Sequence, residues 1–250
     1  MEKALKKQNS VGISGSALKI IAIVTMFIDH TAASIFPRML QSFDYLEYRE
    51  FLIVVYRIMR FIGRVAFPIF IFLMIEGLFK TKNIKKYIMR MGMFALISEI
   101  PFDLAFTGRT LEFEYQNVYF TLFIGLICMT VVEMIRKKYK DIIIQIVAVA
   151  VVGVVGAVVA ELLRTDYGWK GIACIMVMYA FSYNRVALMI SGAISFAWEL
   201  TAPLAFIGVG FYNGKRGLNL KYVFYAFYPA HLLLLYGVVC LLNLQGFNAM

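Results

Sequence analysis

The sequence predicts an all-α fold: a polytopic membrane helix bundle of about nine transmembrane segments, with short or broken helices in its C-terminal third. Three observations support this prediction. Hydrophobic residues occupy 62% of the 250 positions, against about 45–50% in a soluble domain, and the mean hydropathy is +0.78. The apolar residues form long runs separated by charged connections. Basic connections alternate with mixed or acidic ones, as the positive-inside rule requires.

Six runs are long enough to cross a hydrocarbon core, which takes about 20 residues of helix. The run before the second span, YREFLIVVYRIMRF, carries several arginines and predicts an interfacial or re-entrant helix. The predicted long spans are about 17–36, 62–79, 86–106, 117–135, 142–163 and 222–244.

Three consecutive runs are too short for an ordinary spanning helix, namely 169–183, 186–199 and 202–212. They predict tilted or broken structure, which a membrane protein tolerates where it lines an internal cavity. The alternative is that 186–212 forms one long span.

Basic connections follow the second, fourth and eighth runs, as KTKNIKK, RKKYKD and NGKRGLNLK. Nine crossings with a cytoplasmic N-terminus place all three on the cytoplasmic face, whereas joining 186–212 would move NGKRGLNLK to the other face. The chain is therefore predicted to be one transmembrane domain, 1–250, whose residues 1–15 form a basic cytoplasmic segment.

The net charge of +10 is explained by these connections, so membrane lipid and not nucleic acid is the predicted partner. Cys128, Cys174 and Cys240 all lie within apolar runs. Their spacing supports neither a disulfide framework nor a metal site, and no metal is predicted.

Ionisable residues inside the predicted spans are the functional candidates, since each costs about 2.5–3.5 kcal/mol on insertion scales. At about 1.5 Å of rise per residue, His30, Glu99 and His231 reach a common middle layer. Asp103 follows Glu99 by one turn on the same helical face. The predicted catalytic residues are His30, Asp29, Glu99, Asp103 and His231.

A neutral imidazole can accept a proton from an attacking amine or hydroxyl, and a carboxylate can fix its tautomer. Asp29 points about 100° away from His30 on a helix, so Glu99 or Asp103 is the predicted carboxylate partner of His30. Asp29 is expected to pair with an arginine, Arg64 being one option. The alternative for these charges is that they only lock helix packing.

A basic rim on the cytoplasmic side predicts a docking site for a phosphorylated cofactor, although topology and anionic lipid also explain it. The NGKRG stretch lacks Walker spacing and is not a P-loop. Arg64, Tyr228 and His231 are candidates for stabilising a reacting carbonyl oxygen. The predicted cofactor-binding residues are Lys19, Arg64, Lys80, Lys82, Lys86, Arg90, Lys215, Arg216 and Tyr228.

Several blocks of sequence resemble the TraX family of integral-membrane proteins: ALKIIAIVTMFIDH, RFIGRVAFPIFIFLMIEGLFKT, ISEIPFD, DYGWKGI, YNGKRG and KYVFYAFYPAHL. The resemblance runs from about 17 to 232. It implies an acetyl-CoA-dependent transmembrane acetyltransferase in a bacterial cytoplasmic membrane, since the founding member is associated with acetylation of a pilin amine. Lys19 and His30 also resemble the basic residue and histidine in the first span of other transmembrane acyltransferases.

The expected function is therefore acetyl transfer from cytoplasmic acetyl-CoA to an amine or hydroxyl, with His30 as general base. Direct transfer and an acetyl-histidine intermediate both remain open, as do a pilin amine, a peptide, an amino sugar and a small metabolite as acceptor. The alternatives are a proton-coupled transporter and a non-catalytic assembly factor. The sequence does not indicate an oligomeric state.

Overall fold

The computed structural model describes residues 12–218, 221–247 and 249, without the side chain at position 221. Predictions for the basic N-terminal segment, with Lys3, Lys6 and Lys7, lie outside these residues. The described helices are α1 (Gly15–Gln41), α2 (Arg49–Gly63), α3 (Ala66–Lys80), α4 (Ile84–Thr107), α5 (Val118–Lys138), α6 (Ile142–Leu162), α7 (Gly168–Ala180), α8 (Arg185–Ser195), α9 (Ala205–Gly210) and α10 (Lys221–Leu241), with short 3-10 helices at Phe43–Tyr48 and Ala202–Leu204.

The predicted all-α membrane bundle is confirmed. Five helical segments of the described chain are long and apolar enough to cross a membrane, one of which runs continuously through α2 and α3. The described residues contain no β-strand, only isolated bridges. The short C-terminal helices are also confirmed, because α7, α8 and α9 have 13, 11 and 6 residues. The total of nine crossings remains a prediction.

Side-chain caps set where many of the helices begin. The first N–H groups of a helix lack partners within it, and Ser, Asn or Asp at the preceding position can accept from them. Such caps precede α1, α4, α5, α6 and α8, formed by Ser14, Asn83, Asn117, Asp141 and Asn184.

The connections gather at two ends of the bundle. At the first, which we call the basic end, the start of α1 meets the connection 211–218: Gly15 N–H donates to the Lys215 carbonyl at 2.8 Å. Lys80, the last residue of α3, donates to the Gly214 carbonyl at 3.1 Å. At the second, the opposite end, Gln116 pairs with Thr165 in an isolated bridge.

The stretch 186–212 is not one span. It forms a hairpin of α8 and α9 that starts and finishes near the basic end, where Arg185 donates to the Tyr212 carbonyl. Its turn reaches the junction of α2 and α3: the Thr201 hydroxyl donates to the Phe61 carbonyl at 2.6 Å. The turn of the hairpin therefore lies beside the end of α2, next to the cavity described below.

A separate helix occupies the stretch that was predicted to be interfacial or re-entrant, and its position relative to the membrane remains a prediction. This stretch is α2, which lies antiparallel to the second half of α1, and the Tyr56 ring lies tilted beside the Phe36 ring with centroids 6.4 Å apart. Arg64 and Val65, between α2 and α3, keep right-handed helical angles. The two helices therefore follow one another with only a short turn between them. Helix α2 leaves large apolar side chains exposed, such as Phe51, Val54 and Ile58.

Candidate functional site

Two cavities lie inside the bundle. The larger, here called the His30 cavity, has a volume of about 670 Å³ and is lined by residues of α1, α2, α3 and the opposite end. The smaller, called the Lys80 cavity, has about 430 Å³ and lies towards the basic end. Phe70 of α3 lines both.

His30 and His231 form a hydrogen-bonded pair between α1 and α10. Nδ1 of His30 lies 2.8 Å from Nε2 of His231, and Nδ1 of His231 lies 2.9 Å from the Phe227 carbonyl oxygen. The two rings stack with centroids 5.0 Å apart. Two aromatic rings stand edge-on to His30, Phe106 at 5.5 Å and Tyr228 at 5.8 Å.

This chain of contacts fixes the tautomers of the neutral pair. A carbonyl oxygen can only accept, so Nδ1 of His231 carries its proton and Nε2 of His231 is an acceptor. Nδ1 of His30 then donates to that atom, which leaves the lone pair of His30 on Nε2. Because His30 lines the cavity and His231 does not, Nε2 of His30 is the nitrogen that remains for a substrate.

The predicted carboxylate partner of His30 is therefore wrong, since a histidine takes that place. Glu99 accepts from the side-chain amide of Asn117, and Asp103 accepts from the Glu112 backbone N–H at 2.9 Å. Neither carboxylate lines the His30 cavity. Their face of α4 turns towards the start of α5, where unpaired N–H groups and the helix dipole favour negative charge.

Asp29 points away from His30, as its position on the helix predicted. Its partner is Arg60 of α2, at 2.6 Å, and not the suggested Arg64. An added methyl group at Gly63 would collide with the Asp29 side chain, so the glycine permits the close approach of α1 and α2. The ion pair between Asp29 and Arg60 thus depends on a glycine at position 63.

Arg64 lies at the junction of α2 and α3 and pairs with Glu199 of the α8–α9 turn at 3.0 Å. Both Arg60 and Arg64 line the His30 cavity. Two guanidinium groups thus face the cavity that contains His30.

Polar residues of the opposite end form the mouth of the His30 cavity. Arg109 pairs with Glu112 at 2.8 Å, and the Tyr115 hydroxyl donates to Asp166 at 2.5 Å. Burial raises the pKa of the Asp166 carboxyl, and the hydrogen bond from Tyr115 opposes this. Hydrogen bonds from the Glu114 backbone N–H and then from Arg109 lower the pKa of Glu112. Three carboxylates, Glu112, Glu114 and Asp166, thus line this end of the cavity together with one cation, Arg109.

The Lys80 cavity is rich in cations. The Lys80 ammonium contacts Glu76 at 2.5 Å and the Tyr212 hydroxyl at 2.9 Å. Nε of Arg90 is buried and makes no hydrogen bond among the described residues. The cationic lining residues are Lys19, Lys80, Arg90 and Arg216, against one carboxylate, Glu76.

The predicted cofactor-binding residues are thus divided between several places. The four cations above share one cavity, whereas Arg64 belongs to the His30 cavity. Lys82, Lys86 and Lys215 line neither cavity, and Tyr228 contacts the two histidine rings instead. No group of three metal-ligating side chains occurs among the residues searched.

Sequence reasoning missed Arg60 as the partner of Asp29, and it missed Phe70 and Asp166 altogether. Arg60 was recognisable only as one of several buried charges. Phe70 lies in the run AFPIFIFLM, where aromatic residues occur on every face of the helix. Asp166 lies in a connection far from His30 in sequence, so no local pattern relates the two residues.

The chain is similar to proteins of one family. Residues 14–239 match the model of the family described as TraX protein, which confirms the resemblance. The chain is also 27% identical, over 257 residues, to a Dichelobacter nodosus protein named "Probable fimbrial assembly protein FimC, serogroup H1". That alignment covers 90% of this chain and 96% of the relative. No solved structure matches the chain.

Proposed function

The chain belongs to the TraX family, and from that premise we propose that it is an acetyltransferase of a bacterial cytoplasmic membrane. It moves an acetyl group from cytoplasmic acetyl-CoA to an amine or hydroxyl acceptor that reaches the site from the opposite face. In this orientation the basic end is cytoplasmic, as the positive-inside rule requires.

The observation that carries the proposal is the hydrogen-bonded chain from the Phe227 carbonyl through His231 to His30. It holds the lone pair of His30 on Nε2, in a cavity large enough for reacting groups. A histidine held in this way is suited to general-base catalysis, which contributes about 10²–10⁴-fold to a rate. When His30 takes a proton, Nδ1–H continues to donate to His231, so the imidazolium stays oriented.

Arg60 and Arg64 supply positive charge in the same cavity. As the acceptor adds to the acyl carbonyl, the carbonyl oxygen gains negative charge, and preorganised cations stabilise that charge. Asp29 and Glu199 fix the two guanidinium groups through ion pairs of 2.6 and 3.0 Å. We assign both arginines to this role, in place of the cofactor-binding role first given to Arg64.

The Lys80 cavity fits a phosphorylated donor. Four cationic side chains and a single carboxylate line it, and a buried guanidinium nitrogen of Arg90 has no hydrogen-bond partner among the described residues. Lysine and arginine are the ordinary ligands of phosphate groups. Lys19, Lys80, Arg90 and Arg216 would therefore hold the phosphates of acetyl-CoA, and the acyl end would extend past Phe70 to His30.

The transfer balances without a further reactant. The acceptor nitrogen or oxygen forms a bond to the acyl carbon, and His30 Nε2 takes the proton that the acceptor loses. The carbon–sulfur bond breaks, and His30 returns the proton to the departing thiolate. A direct transfer of this kind needs no covalent acetyl-histidine.

The acceptor enters by the mouth at the opposite end, where Glu112, Glu114 and Asp166 favour a cationic group. A protonated amine has the charge that suits this mouth, and it releases its extra proton to water there before the neutral amine attacks the thioester. The Dichelobacter nodosus relative is named a fimbrial assembly protein, which supports a pilus subunit as one acceptor. An amino sugar is another acceptor with the same chemistry.

A proton-coupled transporter is the second candidate, because the two cavities lie on either side of one residue, Phe70. The histidine chain disfavours it. A relay must pass a proton onward, but this chain ends at the Phe227 carbonyl, which has no proton to give. The pair thus suits a base that accepts and returns one proton at Nε2.

Purified protein in lipid nanodiscs tests the function. We expect release of thiol from acetyl-CoA when glucosamine or tetra-alanine with a free amine is added, with acetyl-glucosamine or acetyl-peptide appearing in equal amount. If neither acceptor is acetylated and acetyl-CoA shows no binding, the enzyme proposal is wrong. Proton-driven uptake into vesicles without acetyl transfer would establish the transporter instead.

A further inference from the structure

Phe70 lies at the boundary between the two cavities. It lines the His30 cavity together with Ala66 and Phe67, and it lines the Lys80 cavity together with Leu73 and Met74. These positions recur at spacings of three and four, so they occupy one face of α3. One helix face thus leads from the cations of the basic end to His30, and Phe70 stands at its middle.

The surrounding packing places the same boundary at α5. Phe70 packs against the two hydrophobic clusters that enclose the cavities, and so do Val118 and Tyr119. Val118 lines only the His30 cavity, whereas Tyr119 lines only the Lys80 cavity. The partition therefore consists of the Phe70 ring and the first turn of α5, and Phe70 is the member that both cavities share.

We propose that the Phe70 ring separates the donor and acceptor cavities and sets the length of the acyl group that is transferred. This inference rests on the proposed function. An acyl group that reaches His30 from the Lys80 cavity passes the ring, and each further methylene needs space that the ring occupies. The ring also keeps water of one cavity from the other, which limits hydrolysis of the donor when no acceptor is bound.

Removing the Phe70 ring should have effects that a loss of packing alone would not produce. In hydrolysis, water replaces the acceptor: a carbon–oxygen bond forms, the carbon–sulfur bond breaks, and the proton goes to the thiolate. Removing the ring should therefore raise this reaction while it changes donor selectivity. One methylene in an apolar pocket changes kcat/KM by about tenfold or more, so selectivity between acetyl and butyryl donors is a sensitive readout.

The test compares Phe70→Ala and Phe70→Leu with the unmodified protein in nanodiscs, using acetyl-CoA and butyryl-CoA with glucosamine. We expect Phe70→Ala to raise the butyryl-to-acetyl ratio of kcat/KM about tenfold and to raise hydrolysis without acceptor. We expect Phe70→Leu to raise the donor ratio and the hydrolysis rate as well, but by less than Phe70→Ala does. This second variant keeps the proposal testable if the alanine variant does not fold. Phe123→Ala is the matched control, since Phe123 packs in the core but lines neither cavity.

The outcomes separate the two proposals. If the unmodified protein transfers acetyl groups but both Phe70 variants keep its donor ratio and its hydrolysis rate, Phe70 does not set the acyl length. If Phe123→Ala changes the ratio as much as Phe70→Ala does, the effect is one of packing and the inference is again wrong. If the unmodified protein transfers no acyl group to glucosamine or to tetra-alanine and binds no acetyl-CoA, the proposed function itself fails.

Discussion

Nδ1 of His30 lies 2.8 Å from Nε2 of His231, and the far nitrogen of His231 is bound by a backbone carbonyl. Two helices distant in sequence thus orient a single imidazole. Burial supports the arrangement, because His231 is only 3% exposed and no solvent competes for its Nε2. The pair provides one free lone pair, which faces the cavity.

His231 is a positioning residue, and its variants should show this. His231→Gln can still offer an amide oxygen to Nδ1–H of His30, whereas His231→Ala offers no acceptor. We expect kcat to fall about tenfold or more in His231→Ala and clearly less in His231→Gln. Acetyl transfer at saturating donor measures this, and an equal loss in both variants would show that only ring packing matters.

The ion pair between Asp29 and Arg60 should be coupled energetically. The side chains are 13% and 22% exposed, so removal of one leaves a charge in a poorly hydrated place. In thermal unfolding in nanodiscs, the losses of stability in Asp29→Ala and Arg60→Ala should add up to about 0.5–3 kcal/mol more than the loss in the double variant. Additive losses would contradict the pairing. Arg109 and Glu112 provide a control with smaller expected coupling, because the Arg109 side chain is 68% exposed.

Gly63 should be intolerant of even one methyl group. Gly63→Ala would force Asp29 away from its place beside α2, so both stability and transfer activity should fall. Gly237→Ala is the matched control, because Gly237 is helical and nothing lies within 4 Å of an added methyl group there. Alanine favours a helix by about 1 kcal/mol over glycine, so the control should be unchanged or stabilised. An active, stable Gly63→Ala would contradict the close approach.

The cations of the Lys80 cavity should act on donor binding. Arg90→Gln is expected to raise KM for acetyl-CoA about tenfold while kcat stays within about twofold, since phosphate contacts are the same in the ground and transition states. S-acetylpantetheine lacks phosphates, so its KM should not change. Lys140→Gln, outside the cavity, is the control. A lower kcat with unchanged KM would contradict a donor-binding role.

The bundle was predictable from sequence because hydropathy and loop charge report directly on membrane crossing. Helical geometry also indicated that Asp29 would not serve His30. The partner of His30 was not predictable in this way. Glu99 and His231 stand at similar depths, and depth alone does not give the rotation of a helix about its axis. In the structure Glu99 lies at the start of α5, where it accepts from Asn117, and His231 lies beside His30.

The choice between Arg60 and Arg64 as the partner of Asp29 was also not predictable from the sequence. Arg60 and Arg64 are one turn apart on α2 and its continuation, so either could reach Asp29. The choice depends on Glu199, which arrives from the α8–α9 turn and takes Arg64. That turn was predicted as an irregular region near the C-terminus, but its insertion beside α2 is a tertiary contact that no local pattern encodes.

The central claim is that His30 is the general base of an acetyl transfer. The most direct measurement is the initial rate of acetylation of glucosamine or tetra-alanine from radiolabelled acetyl-CoA, for the unmodified protein and for His30→Gln in nanodiscs. The account predicts a loss of kcat of about a hundredfold or more with an unchanged KM for acetyl-CoA. A His30→Gln protein that transfers acetyl groups at the unmodified rate would contradict it.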